Sequence, residues 1–342
     1  MTMSRQETDE DPPAWLARLD PELVGGAQRQ PYVAFSDPLA ARRNFARATR
    51  LSRALRSSVT SEQGLRIVDR SFDALDDGRA VPVRVYRPLH LVPDAGRPDP
   101  VLVYFHGGAF LAGDLDTDHD RCVLLARDSD CVVVSVAYRR PPEHPFPAPV
   151  DDCFAAVAWV WTAAAELGVD PERIAVGGSS AGATLAAAVA LMARDRGRPR
   201  LALQLLLYPA LDDRLDTASM RAFPATAAWT VEDSRLMWRH YLGDAPAAAD
   251  SYYAIPARCN NFAGVAPAYL MVPEVDALRD EAVDYAVRLL RDGVHVELHH
   301  VAGAFHGFDV ALPEAQLSAR LLGEHSAALR QAFRRPTAAA PR

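Results

Sequence analysis

Arg173-Ile174-Ala175-Val176-Gly177-Gly178-Ser179-Ser180-Ala181-Gly182-Ala183 is the stretch on which the reading of this chain turns. It runs from a short apolar segment, through a G-x-S-x-G, into an alanine-rich stretch. The apolar part, Arg173–Gly177, reads as a strand, and Ala181 opens a helix that continues to Arg194. A serine between them sits on a sharp strand-to-helix turn that lifts its hydroxyl above a sheet. Strand and helix nearly touch at such a turn, so the flanking residues must be small. Gly178, Gly182 and Ala183 meet that need. Ser180 holds the apex, and Ser179 lies off it as a structural neighbour.

Outward from this turn, strand and helix alternate. Leu65–Phe72 and Val81–Tyr86 read as early strands joined by a turn at Asp76-Asp77-Gly78. Val101–Phe105 and Cys131–Ala137 are continuous apolar runs, as expected of strands buried on both faces of a parallel sheet. Asp120–Arg127 and Val150–Leu167 read as helices, and Leu201–Leu207 as a strand. Leu211–Asp250 breaks the rhythm and reads as a helical insertion rich in aromatics. Then follow strand Ala268–Val272, helix Glu281–Asp292, strand Val294–Val301 and a final helix from Glu314 to about Phe333. The alternation predicts an α/β fold, with a mostly parallel, doubly wound central sheet flanked by helices.

Two helices are expected before the sheet. One lies near Ala14–Leu23. The other follows Ser36 as N-cap, with Pro38 in its first turn. The second carries Arg42, Arg43, Arg47, Arg50, Arg53 and Arg56 around Leu39, Phe45, Leu51 and Leu55. Its pattern is that of an amphipathic helix with a solvated basic face. The alternative is a cap helix beside a substrate entrance or a lipid surface. The predicted organisation is N-terminal helices over 1–60 contributing to a small cap, and one α/β domain over 61–342 with a cap insertion at about 211–250.

Composition narrows the classes. A length of 342 residues suits one large α/β domain with a small cap, and 49% hydrophobic residues suffice for its core. A net charge of -7 with no long basic run argues against nucleic acid as a partner. No apolar run reaches about 18 residues, which speaks against a membrane span. Met1–Pro13 is polar and acidic, without the pattern of a secretory signal. The four cysteines, Cys122, Cys131, Cys153 and Cys259, show no C-x-x-C spacing and suit free thiols in a reducing cytoplasm. No H-E-x-x-H and no phosphate-cradling G-x-x-x-x-G-K-[ST] occurs, so neither a metal nor another cofactor is expected. A homodimer stays open.

A second motif supports the serine. His106-Gly107-Gly108-Ala109-Phe110 follows the run Val101–Phe105 directly. Attack by a serine places negative charge on a carbonyl oxygen, and preorganised backbone N–H groups stabilise it. Glycines let the backbone approach and twist. The expected donors are Ala181, after the nucleophile, with Gly108 and Ala109 from the loop and Gly107 behind them. His306, in the loop Gly303–Phe308 after the last strand, is the candidate base. His106 is expected to order the donor loop.

At this point the chain resembles the bacterial hormone-sensitive-lipase-like carboxylesterases of the α/β-hydrolase superfamily. The matching segments, in order, are His106–Phe110, Tyr138–Ala148, Gly177–Gly182 and Asp276–Glu281, with His306-Gly307-Phe308 after them. The likeness runs from about Val81 to Phe308. It implies a triad of Ser180, His306 and Asp276, with Asp276 preferred to its neighbours Glu274 and Asp280 on the family spacing. It implies hydrolysis of short- to medium-chain acyl esters, small molecules, without a cofactor. An amidase or acyltransferase would use the same triad, and some relatives bind ligands without catalysis. Two positions depart from the family pattern. Ala109 stands where a third glycine is usual, and Ser179 where Asp or Thr is common.

Overall fold

The computed structural model describes residues 13–334 except 32, 57–60, 75–76, 92–97, 228 and 245–250. Its elements in chain order are α1 (Pro21–Gln28), α2 (Pro38–Arg56), β1 (Leu65–Asp73), β2 (Ala80–Pro88), β3 (Asp99–Phe105), α3 (His119–Ser129) and β4 (Val132–Val136). Then come α4 (Ala148–Thr162), α5 (Ala164–Leu167), β5 (Val169–Ser179), α6 (Ala181–Arg196), β6 (Leu201–Leu207), α7 (Ala218–Ala222) and α8 (Val231–Leu242). The chain closes with β7 (Ala268–Val275), α9 (Arg279–Arg291), β8 (Val296–Phe305), α10 (Phe308–Ala311) and α11 (Gln316–Arg334).

The strands form one sheet of eight in the order β1-β2-β4-β3-β5-β6-β7-β8. β1 pairs antiparallel with β2, and β2 with β4. Every other pairing is parallel. The apolar runs are continuous because both faces of the sheet are covered. In β3, Val101, Val103 and Phe105 enter one core with α4, α6 and α9, while Leu102 and Tyr104 enter the other with α1, α3 and α11. Successive side chains of a strand alternate faces, so a run with no polar interruption fills two cores at once.

Several boundaries differ from the sequence reading. The helix expected at Ala14–Leu23 lies instead at Pro21–Gln28, after a 3₁₀ turn at Leu16–Arg18. Pro21 has no N–H and suits only a first turn, and the Asp20 carboxylate caps it by accepting from Glu22 N. The cap of α2 is Asp37, not Ser36: its Oδ1 accepts from Leu39 N and Ala40 N, both at 3.0 Å. The expected helix Val150–Leu167 is split into α4 and α5, because the Thr162 hydroxyl bonds back to the Ala158 and Trp159 carbonyls. In the β1–β2 turn, Asp76 lies outside the described residues, and Gly78 takes the left-handed φ of +67°. Within the insertion, α7 and α8 are the helices, and 245–250 lie outside the described residues. The single turn α10 has no signal in the sequence reading.

Candidate active site

Parallel strands bring their C-terminal ends to one edge of the sheet, and loops from neighbouring strands meet there. Ser180 follows the end of β5, Asp276 the end of β7, His306 the end of β8, and the loop His106–Phe110 the end of β3. Thus residues separated by up to 200 positions are forced into one crevice by the strand order.

Ser180 has φ +52° and ψ -122°, a conformation that a side chain rarely adopts. The packing around it shows why its neighbours are glycines. A Cβ on Gly178 would lie 2.4 Å from the Gly182 carbonyl carbon, and one on Gly182 would lie 2.0 Å from Phe105 O. β3, β5 and α6 touch backbone to backbone at this point.

Ser180 Oγ lies 3.0 Å from His306 Nε2, and His306 Nδ1 lies 2.7 Å from Asp276 Oδ2. All three side chains are buried. A carboxylate only accepts, so Nδ1 carries the proton and Nε2 faces the hydroxyl as acceptor. Asp276 Oδ1 also accepts from Leu278 N at 3.0 Å, which fixes the carboxylate. The neighbouring acids point elsewhere. Glu274 pairs with Arg18 and accepts from Gly303 N, and Asp280 accepts from Ser219 N and pairs with Arg279.

Of the four expected oxyanion donors, Gly107 is placed differently. Its N–H donates to Asp118 Oδ2 at 3.1 Å and is therefore already engaged. The N–H groups of Gly108, Ala109 and Ala181 have no hydrogen-bond partner among the described residues. The loop holding two of them is strained: Ala109 and Phe110 have φ of +56° and +60°. His106 braces it. Its Nδ1–H donates to Gly107 O at 2.7 Å, and its ring stacks on Tyr138 at 4.3 Å. Burial pushes the His106 imidazole down to about 4, so it stays neutral at ordinary pH.

Residues 102–310 match the model of a family described as alpha/beta hydrolase fold. The chain belongs to the α/β-hydrolase family, in its hormone-sensitive-lipase-like branch. It is 39% identical to esterase LipI of Mycobacterium tuberculosis over 246 residues, 71% of this chain and 75% of that one. Among solved structures it is similar to esterase LipW of Mycobacterium marinum, with TM-score 0.83 and 43% identity over 93% of this chain and 97% of that one. It also resembles a bacterial heroin esterase, with TM-score 0.86 and 40% identity over 94% of this chain and 99% of that one.

Beneath the crevice of this α/β-hydrolase lies a polar network that sequence reasoning did not single out. Asp118 is buried and also accepts from Ser179 Oγ at 2.8 Å. Arg121, one turn on, lies 3.7 Å from Asp118. It donates to Asp309 at 2.7 Å and to the hydroxyls of Tyr208 and Tyr104 at 2.8 and 3.0 Å. The Tyr208 ring meets His306 edge-on at 4.9 Å, and Asp309 sits on α10 directly after the His306 turn. One buried guanidinium between two carboxylates thus links the donor loop to the histidine loop. The sequence signal was faint. Asp114, Asp116, Asp118 and Asp120 alternate along the chain, and nothing local marks the one that turns inward. An arginine in the otherwise apolar stretch after Asp120 was the better clue.

Removing Asp118 should loosen the donor loop. Asp118→Ala leaves the Gly107 N–H and Ser179 Oγ without their acceptor. A donor displaced by about 1 Å can cost on the order of a hundredfold in rate. The expected result is kcat on p-nitrophenyl acetate lower by about that factor, with KM nearly unchanged. A kcat close to wild type would show that the loop holds its shape without this carboxylate.

Proposed function

We propose that this chain is a serine carboxylesterase that hydrolyses short- to medium-chain acyl esters through an acyl-enzyme at Ser180. The observation that carries this reading is the continuous relay Asp276–His306–Ser180, at 2.7 and 3.0 Å, beside three backbone donors with no hydrogen-bond partner among the described residues. Ser180 Oγ attacks the ester carbonyl carbon while His306 Nε2 takes its proton. The carbonyl oxygen becomes an oxyanion held by the N–H groups of Gly108, Ala109 and Ala181. Asp276 keeps Nδ1 protonated and stabilises the imidazolium. On collapse the C–O bond breaks, and His306 returns the proton to the departing alcohol. Water, deprotonated by the same imidazole, then cleaves the acyl-enzyme to the acid and restores Ser180. The names of the relatives, esterases and carboxylesterases, support the same reaction.

The short-chain preference rests on aromatic packing. Trp229, from the insertion, stacks on the His306 ring at 5.6 Å and meets Phe35, ahead of α2, at the same distance with the rings tilted by 60°. Its Nε1 donates to Ser234 Oγ at 2.7 Å, which fixes the ring. On the donor-loop side, Phe110 stacks on Tyr241 of α8 at 3.9 Å. These contacts support a cap built from residues 1–60 and about 211–250. A pocket bounded by fixed rings has a set depth, and each buried methylene adds about 0.8 kcal/mol only until the depth is used. Across a p-nitrophenyl ester series, kcat/KM should rise, peak at a short or medium acyl chain and fall. Trp229→Ala should move the peak to longer chains. A wild type fastest on emulsified long-chain triglyceride, or identical profiles for both proteins, would refute the bounded pocket. Four buried free cysteines support a reducing, cytoplasmic setting.

A further inference from the structure

Helix α2 has six arginines and no acidic residue, in a chain whose net charge is -7. The structure divides those arginines by direction. Arg42 turns inward: its Nε donates to Leu111 O at 2.7 Å, and its guanidinium pairs with Glu143. Arg53 turns inward too, and lies 3.1 Å from Asp116. With Ala41 buried and Phe45 packed against the core that holds Phe110 and Trp229, they seat the helix beside the donor loop. Arg43, Arg47 and Arg50 are exposed and make no ion pair among the described residues. Next to them Leu39 and Leu51 are 54% and 60% exposed, unusual for large apolar side chains in this protein. At about 100° per residue, these five fall within about 120° of the helix circumference, spread over about 18 Å of its length.

We propose that this face of α2 docks the protein peripherally on an anionic phospholipid surface. The guanidiniums of Arg43, Arg47 and Arg50 would meet lipid phosphates, and Leu39 and Leu51 would enter the headgroup boundary on either side of them. A cationic stripe bordered by apolar side chains on a helix is the chemistry of an interfacial anchor. Each arginine near an anionic bilayer adds favourable energy that salt screens. A nucleic acid fits the face less well. Exposed leucines have no partner along a phosphate backbone, and the negative charge of the rest of the chain opposes it. The opposite side of the same helix packs toward Phe110 and the donor loop, so docking would hold the crevice near the phase where apolar esters collect.

The test is vesicle flotation of the full chain with phosphatidylcholine alone and with mixed phosphatidylcholine and phosphatidylglycerol. The wild type should float with the mixed vesicles and not with the neutral ones, and raised salt should release it. The triple variant Arg43→Gln/Arg47→Gln/Arg50→Gln should lower the partition coefficient by about a hundredfold, the loss of three surface cations. Its kcat/KM on a water-soluble p-nitrophenyl ester should match wild type, because these side chains face solvent. That readout separates loss of docking from loss of fold or of ester hydrolysis. Leu39→Ser/Leu51→Ser should weaken flotation without changing its salt dependence. Absence of wild-type flotation, equal flotation on neutral vesicles, or undiminished flotation of the triple variant would overturn the proposal. Tighter binding to duplex RNA than to mixed vesicles at equal ionic strength would assign the face to nucleic acid instead.

Discussion

Ser180→Ala should lower turnover of p-nitrophenyl esters by about five to six orders of magnitude, leaving only what the donors and binding supply. It should also abolish labelling by a fluorophosphonate probe. The reason is geometric. Ser180 Oγ is the hydroxyl that His306 Nε2 reaches, at 3.0 Å, and the backbone that presents it is held at φ +52°. Ser179 is its immediate neighbour, but its Oγ points away and donates to Asp118 at 2.8 Å. Ser179→Ala removes one hydrogen bond to a buried carboxylate that keeps the Gly107 N–H as a second donor. Its expected cost is about tenfold or less. Labelling that survives in Ser180→Ala and vanishes in Ser179→Ala would reverse the assignment.

Gly182→Ala should damage both the fold and the activity, although it adds a single methyl. That methyl would lie 2.0 Å from Phe105 O and 2.5 Å from His106 O. Both contacts are backbone atoms at the end of a paired strand, so no side-chain rotation relieves them. β3 must move away from α6, which costs about 3 kcal/mol or more by overpacking. The same movement shifts the Gly108 and Ala109 donors away from the serine. Thermal unfolding should begin several degrees lower, and kcat of the folded fraction should fall by about two orders of magnitude. Gly323→Ala on α11 is the control, because a Cβ there meets nothing within 4 Å. It should be neutral or stabilising. A Gly182→Ala variant as stable and active as wild type would mean that the backbone contact at the elbow is looser than described.

Local pattern was enough for the framework. Val101–Phe105 is a continuous apolar run and Leu201–Leu207 is broken only by Gln204, a pattern that suits strands covered on both faces, and both are strands of the central sheet. Small residues at 178, 182 and 183 signalled a close backbone crossing, and the clash distances at 178 and 182 give its physical basis. Chain order placed the serine, acid and histidine after three different strands, which are β5, β7 and β8. Boundaries failed where a side chain competes with the backbone, as at Thr162, or where a cap has two candidates, as at Ser36 and Asp37. Partner choice is another matter, because it depends on atoms far apart in the chain. Glu274, Asp276 and Asp280 lie within seven positions, yet only Asp276 meets His306, since β7 ends one residue before it. Four alternating aspartates look alike in sequence, and only Asp118 reaches under the elbow, 61 residues from Ser179. The six arginines of α2 likewise read as one basic face until the packed core turns two of them inward and leaves others in solvent. Periodicity records how a segment is buried. Which group a buried or exposed side chain then meets is set by the strand order and the packing of helices upon it.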